Sequence, residues 1–119
     1  MAYKNVYIYL DDERVPSPFI LNDIPNISNK SKVIICRSYR KAVAAIETLC
    51  VKDYTNLVID LDHDLGSKKT GYDFCKWLVE NGWVGKFHCH TANPVGVANM
   101  KQLLTRYGWK EFYILDVIN

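Results

Sequence analysis

Five short apolar runs, most of them separated by segments with a helical stripe, constrain this chain more than any other feature. "NVYIYL" ends at Leu10, "KVIIC" at Cys36, "NLVIDL" at Leu61 and "KFHCH" at His90, and "EFYILDVI" lies near the C-terminus. They are rich in Val, Ile and Tyr and do not alternate cleanly with polar residues. That is the pattern of strands covered on both faces of a parallel sheet. Between them, "SYRKAVAAIETLCVK" puts Tyr39, Ala42, Val43, Ile46, Leu49 and Cys50 on one stripe, with Ser38 as N-cap. "TGYDFCKWLVENG" opens on Thr70 with Asp73 three residues on, a capping-box spacing, and stops at Asn81-Gly82. "NPVGVANMKQLLTRYG" offers Asn93 as cap, Pro94 at the first helical position and Gly108 as the stop.

Strand and helix in alternation require right-handed crossovers. The expectation is a single α/β domain over residues 1–119, a flavodoxin-like three-layer sandwich with a five-stranded parallel sheet in the order 2-1-3-4-5. One crossover departs from the pattern. Between Asp11 and Lys32 lie Pro16, Pro18 and Pro25 among many Asn and Ser, so the stretch from Arg14 to Ser31 is expected to carry a loop in place of a full-length first helix.

Bulk properties exclude several function classes. The net charge is only +2 and no basic run tracks a phosphate backbone, which argues against duplex nucleic acid as partner. No apolar run reaches membrane-spanning length, and no charged-then-apolar export pattern opens the chain, so a cytoplasmic protein without membrane contact is expected. The four cysteines (Cys36, Cys50, Cys75, Cys89) lack CxxC spacing and read as core filler.

Chemistry concentrates where the fold places ligands, at the carboxyl ends of the strands. Strands 1, 3 and 4 end in Asp11-Asp12, Asp62-His63-Asp64 and His90-Thr91 with Asn93. Four carboxylates on one rim repel one another unless a cation compensates, and Arg14, Lys68, Lys69 or a divalent metal are available. All three histidines of the chain, His63, His88 and His90, fall near these ends. His88 lies further inside its strand and suits a core position. His63 and His90 suit proton transfer, because imidazole titrates near neutral pH.

"YIYLDDE", "LVIDLDHDLG" with "KTGYDFCKWL", and "HTANP" resemble a response-regulator receiver domain. The resemblance implies that Asp11 and Asp12 stand for its acidic pair, Asp62 for its phospho-acceptor and Thr91-Ala92 for its Thr-Ala. Two departures matter. The Lys that receivers carry at the end of strand 5 is replaced here by Asp116 in "YILDVIN", and histidines adjoin the acceptor and the Thr. With "LDDERVP", "LDHDLG", "GYDFCKWL" and "HTANPVGVANM", the chain is similar to the cyclic-phosphate-processing receiver-like family of bacteria and phages.

That family implies action on a cyclic phosphate or cyclic (oligo)nucleotide, and two routes fit the residues. In one, Asp11, Asp12 and Asp62, with Asp64, hold Mg²⁺ or Mn²⁺ through hard oxygen ligands, and His63 or His90 is the general acid. In the other no metal takes part, His63 and His90 serve as base and acid, and Arg14 or Arg37 clamps the phosphate, aided by Thr91, Asn93 and the helix start at Pro94. Tyr72, Trp77 and Trp83 could stack a base, though their helical spacing also suits a core. Two alternatives to a phosphodiesterase stand: sequestration of a cyclic nucleotide without cleavage, and a degenerate receiver-type signalling module that the missing Lys disfavours.

Overall fold

A computed structural model describes residues 3–16, 31–49 and 54–112. Five parallel strands, β1 (Tyr3–Leu10), β2 (Ser31–Cys36), β3 (Tyr54–Leu61), β4 (Lys86–Cys89) and β5 (Lys110–Glu111), form one sheet in the order β2-β1-β3-β4-β5. The described helices are α1 (Tyr39–Glu47), α2 (Gly71–Glu80) and α3 (Pro94–Arg106). This is the expected sheet order and the flavodoxin-like arrangement. Apart from Arg14–Pro16 and Ser31, the crossover expected to lack a first helix lies outside the described residues. So does most of the fifth run, "EFYILDVI", beyond Phe112.

Each helix begins where local chemistry requires. Ser38 accepts the Lys41 N–H at the start of α1. Thr70 and Asp73 exchange hydrogen bonds in a reciprocal capping box, with the Thr70 N–H 2.8 Å from Asp73 Oδ2. That N–H and the Thr70 hydroxyl outweigh partial burial and hold the Asp73 carboxyl below its usual pKa. Asn93 Oδ1 accepts the Gly96 N–H at 2.9 Å, with Pro94 in the first turn where no N–H is needed.

The alternation of β1 and β3 divides the molecule. Val6, Ile8, Leu10, Leu57, Ile59 and Leu61 pack on the side that carries the three described helices, against Ile46 of α1, Phe74 and Leu78 of α2, and Met100 and Leu104 of α3. Full burial of each such side chain is worth about 1.5–3 kcal/mol. Tyr7, Tyr9 and Val58 point the other way and cluster with Phe112. Tyr72, Trp77 and Trp83 are packed against the helix-side core, and Trp77 stacks on Phe74, so these rings serve packing. Cys36 and Cys75 are buried there and Cys89 packs against it, as core filler does; Cys50 lies outside the described residues. No helix among the described residues is long and apolar enough to cross a membrane.

Candidate functional site

Leu10 and Leu61 are register partners at the ends of β1 and β3, so Asp11 and Asp62 leave the sheet side by side. The ladder runs one residue further on each. Asp11 N–H donates to Cys36 O (3.1 Å), Asp62 N–H to Leu10 O (3.0 Å) and His90 N–H to Leu61 O (3.0 Å). The three side chains are therefore positioned by sheet geometry. Behind them, the Gly71 N–H donates to His63 O at 2.8 Å, and a β-carbon on Gly71 would collide with the Asp62 carbonyl oxygen.

Asp11 is 1% exposed, and its carboxylate meets four donors. Oδ1 accepts the N–H groups of Glu13 (2.9 Å) and Arg14 (2.8 Å). Oδ2 lies 2.9 Å from Arg14 Nε and 2.9 Å from His90 Nε2. Burial pushes this carboxyl's pKa up, but the donors outweigh burial and hold it below its ordinary value. Its four acceptor positions are filled.

His90 is bound at both nitrogens. Nδ1 is 2.6 Å from Asp60 Oδ1, Nε2 faces Asp11, and the ring stacks on Tyr9 with centroids 4.5 Å apart. A carboxylate can only accept hydrogen bonds, so a ring set between two of them has the donor pattern of an imidazolium. Burial opposes that charge, but the bonds and charges of Asp60 and Asp11 prevail and raise its pKa. Asp60 in turn accepts from the Tyr7 hydroxyl, whose pKa burial and the Asp60 charge drive far up. A buried relay thus runs Tyr7–Asp60–His90–Asp11 on the tyrosine side of the sheet.

His63 sits on the other side, over α3. Its Nδ1 is 3.0 Å from Asp64 Oδ1 and 3.4 Å from the Asn93 amide nitrogen. The shorter contact makes Nδ1 the donor to Asp64, and Nε2 has no hydrogen-bond partner among the described residues. The ring rests on Gly96, where a β-carbon would come within 2.9 Å of three His63 atoms. Asp64 is held below its usual pKa by the His63 and Asn93 hydrogen bonds.

An open cavity of about 760 Å³ lies at this edge, lined by five acids (Asp11, Asp12, Glu13, Asp62, Asp64), by Arg14 and by Gly66, with Thr91, Ala92, Asn93 and Pro94 on the far wall. Asp12 Oδ2 approaches Gly66 to 2.9 Å from where a β-carbon would stand, and Gly66 takes φ +67, a conformation that favours glycine. Asp62 is 5% exposed, and its charged neighbour is Arg14 Nη2 at 3.6 Å.

Of the residues singled out from sequence, Asp11, Asp12, Arg14, Asp62, Asp64, Thr91 and Asn93 line the cavity. Others stand elsewhere. His63 and His90 lie outside the lining on opposite sides of the sheet, so the two imidazoles do not face each other across one phosphate. Arg37, expected at the phosphate, instead donates through Nη1 to the carbonyls of Asp11 and Arg14 and braces the turn after β1. Asn93 is occupied as helix cap and as donor to Asp64, Pro94 has no N–H, and the Gly96 N–H is capped. The α3 start therefore offers an anion little. Lys69 lies over the Tyr39 ring rather than at the carboxylates, and His88 makes an edge contact with Phe112.

Asp60, Tyr7 and Tyr9 are the site residues that sequence reasoning passed over. A lone acid inside the apolar run "NLVIDL" was the available signal, since a buried carboxylate needs partners.

A metal ion can be tested against this geometry. One oxygen each of Asp11 and Asp62 and one His90 nitrogen lie within 4.8 Å of one another. The Arg14 guanidinium already reaches two of these groups, Asp11 and Asp62, as a stand-in cation. Two buried carboxylates suit Mg²⁺ or Mn²⁺, whereas His90, with both nitrogens engaged by carboxylates, has no lone pair to offer an ion. Asp12 lies outside this group of three.

Comparison with known proteins agrees with the fold. The phosphorylated cyanobacterial phytochrome response regulator RcpA superposes with a TM-score of 0.61 at 15% identity, over 98% of this chain and 86% of its own. The Vibrio cholerae chemotaxis protein CheY4 gives 0.54 at 18% identity, over 95% and 87%. Among curated proteins none matches. The family described as the cyclic-phosphate processing receiver domain matches residues 6–106, most of the sequence. The acidic edge and its flanking histidines all fall within that match, and the chain belongs to the cyclic-phosphate processing receiver domain family.

Proposed function

We propose that the chain hydrolyses a phosphodiester bond of a cyclic phosphate or cyclic (oligo)nucleotide in the cavity beside Asp62, with a divalent cation as cofactor. The observation that carries this reading is the lining charge: five acids against one guanidinium. A bare phosphodiester anion is repelled by such a wall, so an anionic substrate enters together with a cation. Asp11 and Asp62 are the residues that would hold Mg²⁺ or Mn²⁺, which when bound neutralises phosphate charge and makes water acidic enough to act as nucleophile.

The chain's own groups divide the remaining work. Arg14, half-exposed at the rim, matches two phosphate oxygens with its fork. His63 stands behind Asp64 and Asn93 of the lining, with Nδ1 held by Asp64 and Nε2 without a partner among the described residues. Reached by substrate or through a water, it takes a proton from the attacking water at Nε2 and passes it to the leaving ribose oxygen. His90, tied at both nitrogens, supplies fixed positive charge behind Asp11. In a phage, the same reaction would remove a host nucleotide immune signal.

Sequestration is the second reading, favoured by the occupied state of His90 and Asn93. Purified protein incubated with a panel of cyclic mono- and oligonucleotides, with and without EDTA, separates the two by mass spectrometry. Hydrolysed product that disappears with EDTA is the expected result. Ligand recovered intact after denaturation would establish sequestration instead.

A further inference from the structure

We infer that Arg14 and the divalent cation are alternative occupants of one carboxylate cradle, and that the arriving ion frees the guanidinium to meet the phosphate. This rests on the metal-assisted reading above and deepens it.

Counting donors decides which group yields. A carboxylate offers about four acceptor positions. Those of Asp11 are taken by the Glu13 and Arg14 N–H groups, by Arg14 Nε and by His90 Nε2. An ion that coordinates Asp11 must evict one of them. The two N–H groups belong to the turn that follows β1 and are fixed by the backbone. His90 is anchored at its other nitrogen by Asp60 and stacked on Tyr9, with its side chain only 14% exposed. The Arg14 side chain is 54% exposed and, among the described residues, is held at its far end only by a 3.6 Å approach to Asp62. It is the donor that can leave.

The two carboxylates cannot follow it, since Asp11 and Asp62 are 1% and 5% exposed and sit on the ladder of β1 and β3. A guanidinium and a divalent ion cannot share them either, because like charges a few ångströms apart repel strongly. Once displaced, the guanidinium stays on the same cavity wall, where Arg14 is part of the lining. The cradle then exchanges one cation for another, and the released one acquires an anion-binding role it lacks while paired with Asp11.

The test is Mn²⁺ titration by calorimetry, with free Mn²⁺ followed by electron paramagnetic resonance, on the wild-type protein, Arg14→Ala and Arg14→Gln. Circular dichroism checks that each variant folds. Removing the competitor should tighten Mn²⁺ binding by roughly tenfold in both variants. In a second arm, Mn²⁺-saturated wild type should bind inorganic phosphate roughly tenfold more tightly than Mn²⁺-saturated Arg14→Ala. Equal or weaker Mn²⁺ affinity in the variants overturns the competition while leaving the metal reading standing. Absence of Mn²⁺ binding by all three proteins overturns both. Equal phosphate affinity in the second arm overturns the release of Arg14 to the anion.

Discussion

His63 and His90 are the same residue type, each within two residues of a strand end, yet they are held in opposite ways. His90 has carboxylates at both nitrogens and a tyrosine on its face. His63 has one carboxylate, a glycine beneath its ring and a nitrogen with no described partner. An imidazole's full set of neighbours decides whether it serves as a buried ion or a proton carrier. Proximity to acids alone does not decide it.

The most direct way to test this contrast is to remove each ring's support in turn. His63→Ala should slow hydrolysis by roughly 10²–10⁴-fold with little change in ligand affinity, the usual worth of one acid-base group. Single-turnover rates and equilibrium binding separate those effects, and full activity in this variant ends the proton-transfer role. The relay on the other side should show its importance in stability. Asp60→Ala leaves the His90 charge short of a partner and should cost about 3–5 kcal/mol in urea unfolding. Asp60→Asn, which keeps an acceptor oxygen but not the charge, should cost less; equal costs would mean that the charge of Asp60, and not its hydrogen-bond acceptor, supports His90.

A smaller effect is expected from Gly96→Ala. Helix propensity alone favours alanine by about 1 kcal/mol. Here the new methyl strikes the His63 ring, so stability should hardly change while turnover falls roughly tenfold, as expected when a proton donor is misplaced. Unchanged turnover would show that His63 need not rest where it does.

The mildest signature is in pH. The His90 pKa is raised in the folded protein, so its contribution to stability is complete below the unfolded value of about 6.5 and is lost as pH rises through the folded value. The Asp11 pKa is lowered, so its contribution is present above the unfolded carboxylate value and is lost as pH falls through the folded one. His90→Gln should flatten the alkaline limb of a stability–pH curve and Asp11→Asn the acid limb. A wild-type alkaline limb that survives His90→Gln would assign it to another group.

Much of this arrangement was legible in the sequence because it rests on local chemistry. The Thr70–Asp73 capping box, the Asn93-Pro94 start and the unbroken apolar strands each carry a local signal, and alternating strands and helices imply a parallel sheet, for which 2-1-3-4-5 is a common order. The carboxylate edge was legible for the same reason, as Asp11 and Asp62 follow strand ends. What was not legible depended on side-chain direction. Arg37 is as plausible a clamp as Arg14 until its guanidinium is seen on backbone carbonyls. Asp60 lies two residues before Asp62 and so points to the same side of the chain as a strand alternates. Its partner His90 comes from another strand, and only the register of β3 with β4 brings the two together.

The hydrogen bond from Gly71 to His63 bears on how such a protein diversifies. It closes residues 64–70 into a lariat whose two ends are tied at its neck. Lengthening a closed loop is cheap, about 0.6 kcal/mol for each doubling. A Gly-Ser pair inserted after Ser67 should leave thermal unfolding almost unchanged, whereas a large drop would mean the loop bears on the core. Asp64 and Gly66, which border the cavity, ride on this lariat, while Asp11 and Asp62 are rooted in the sheet. Mutation can therefore reshape the mouth that sorts ligands, by insertion or deletion, without dragging the buried acids along.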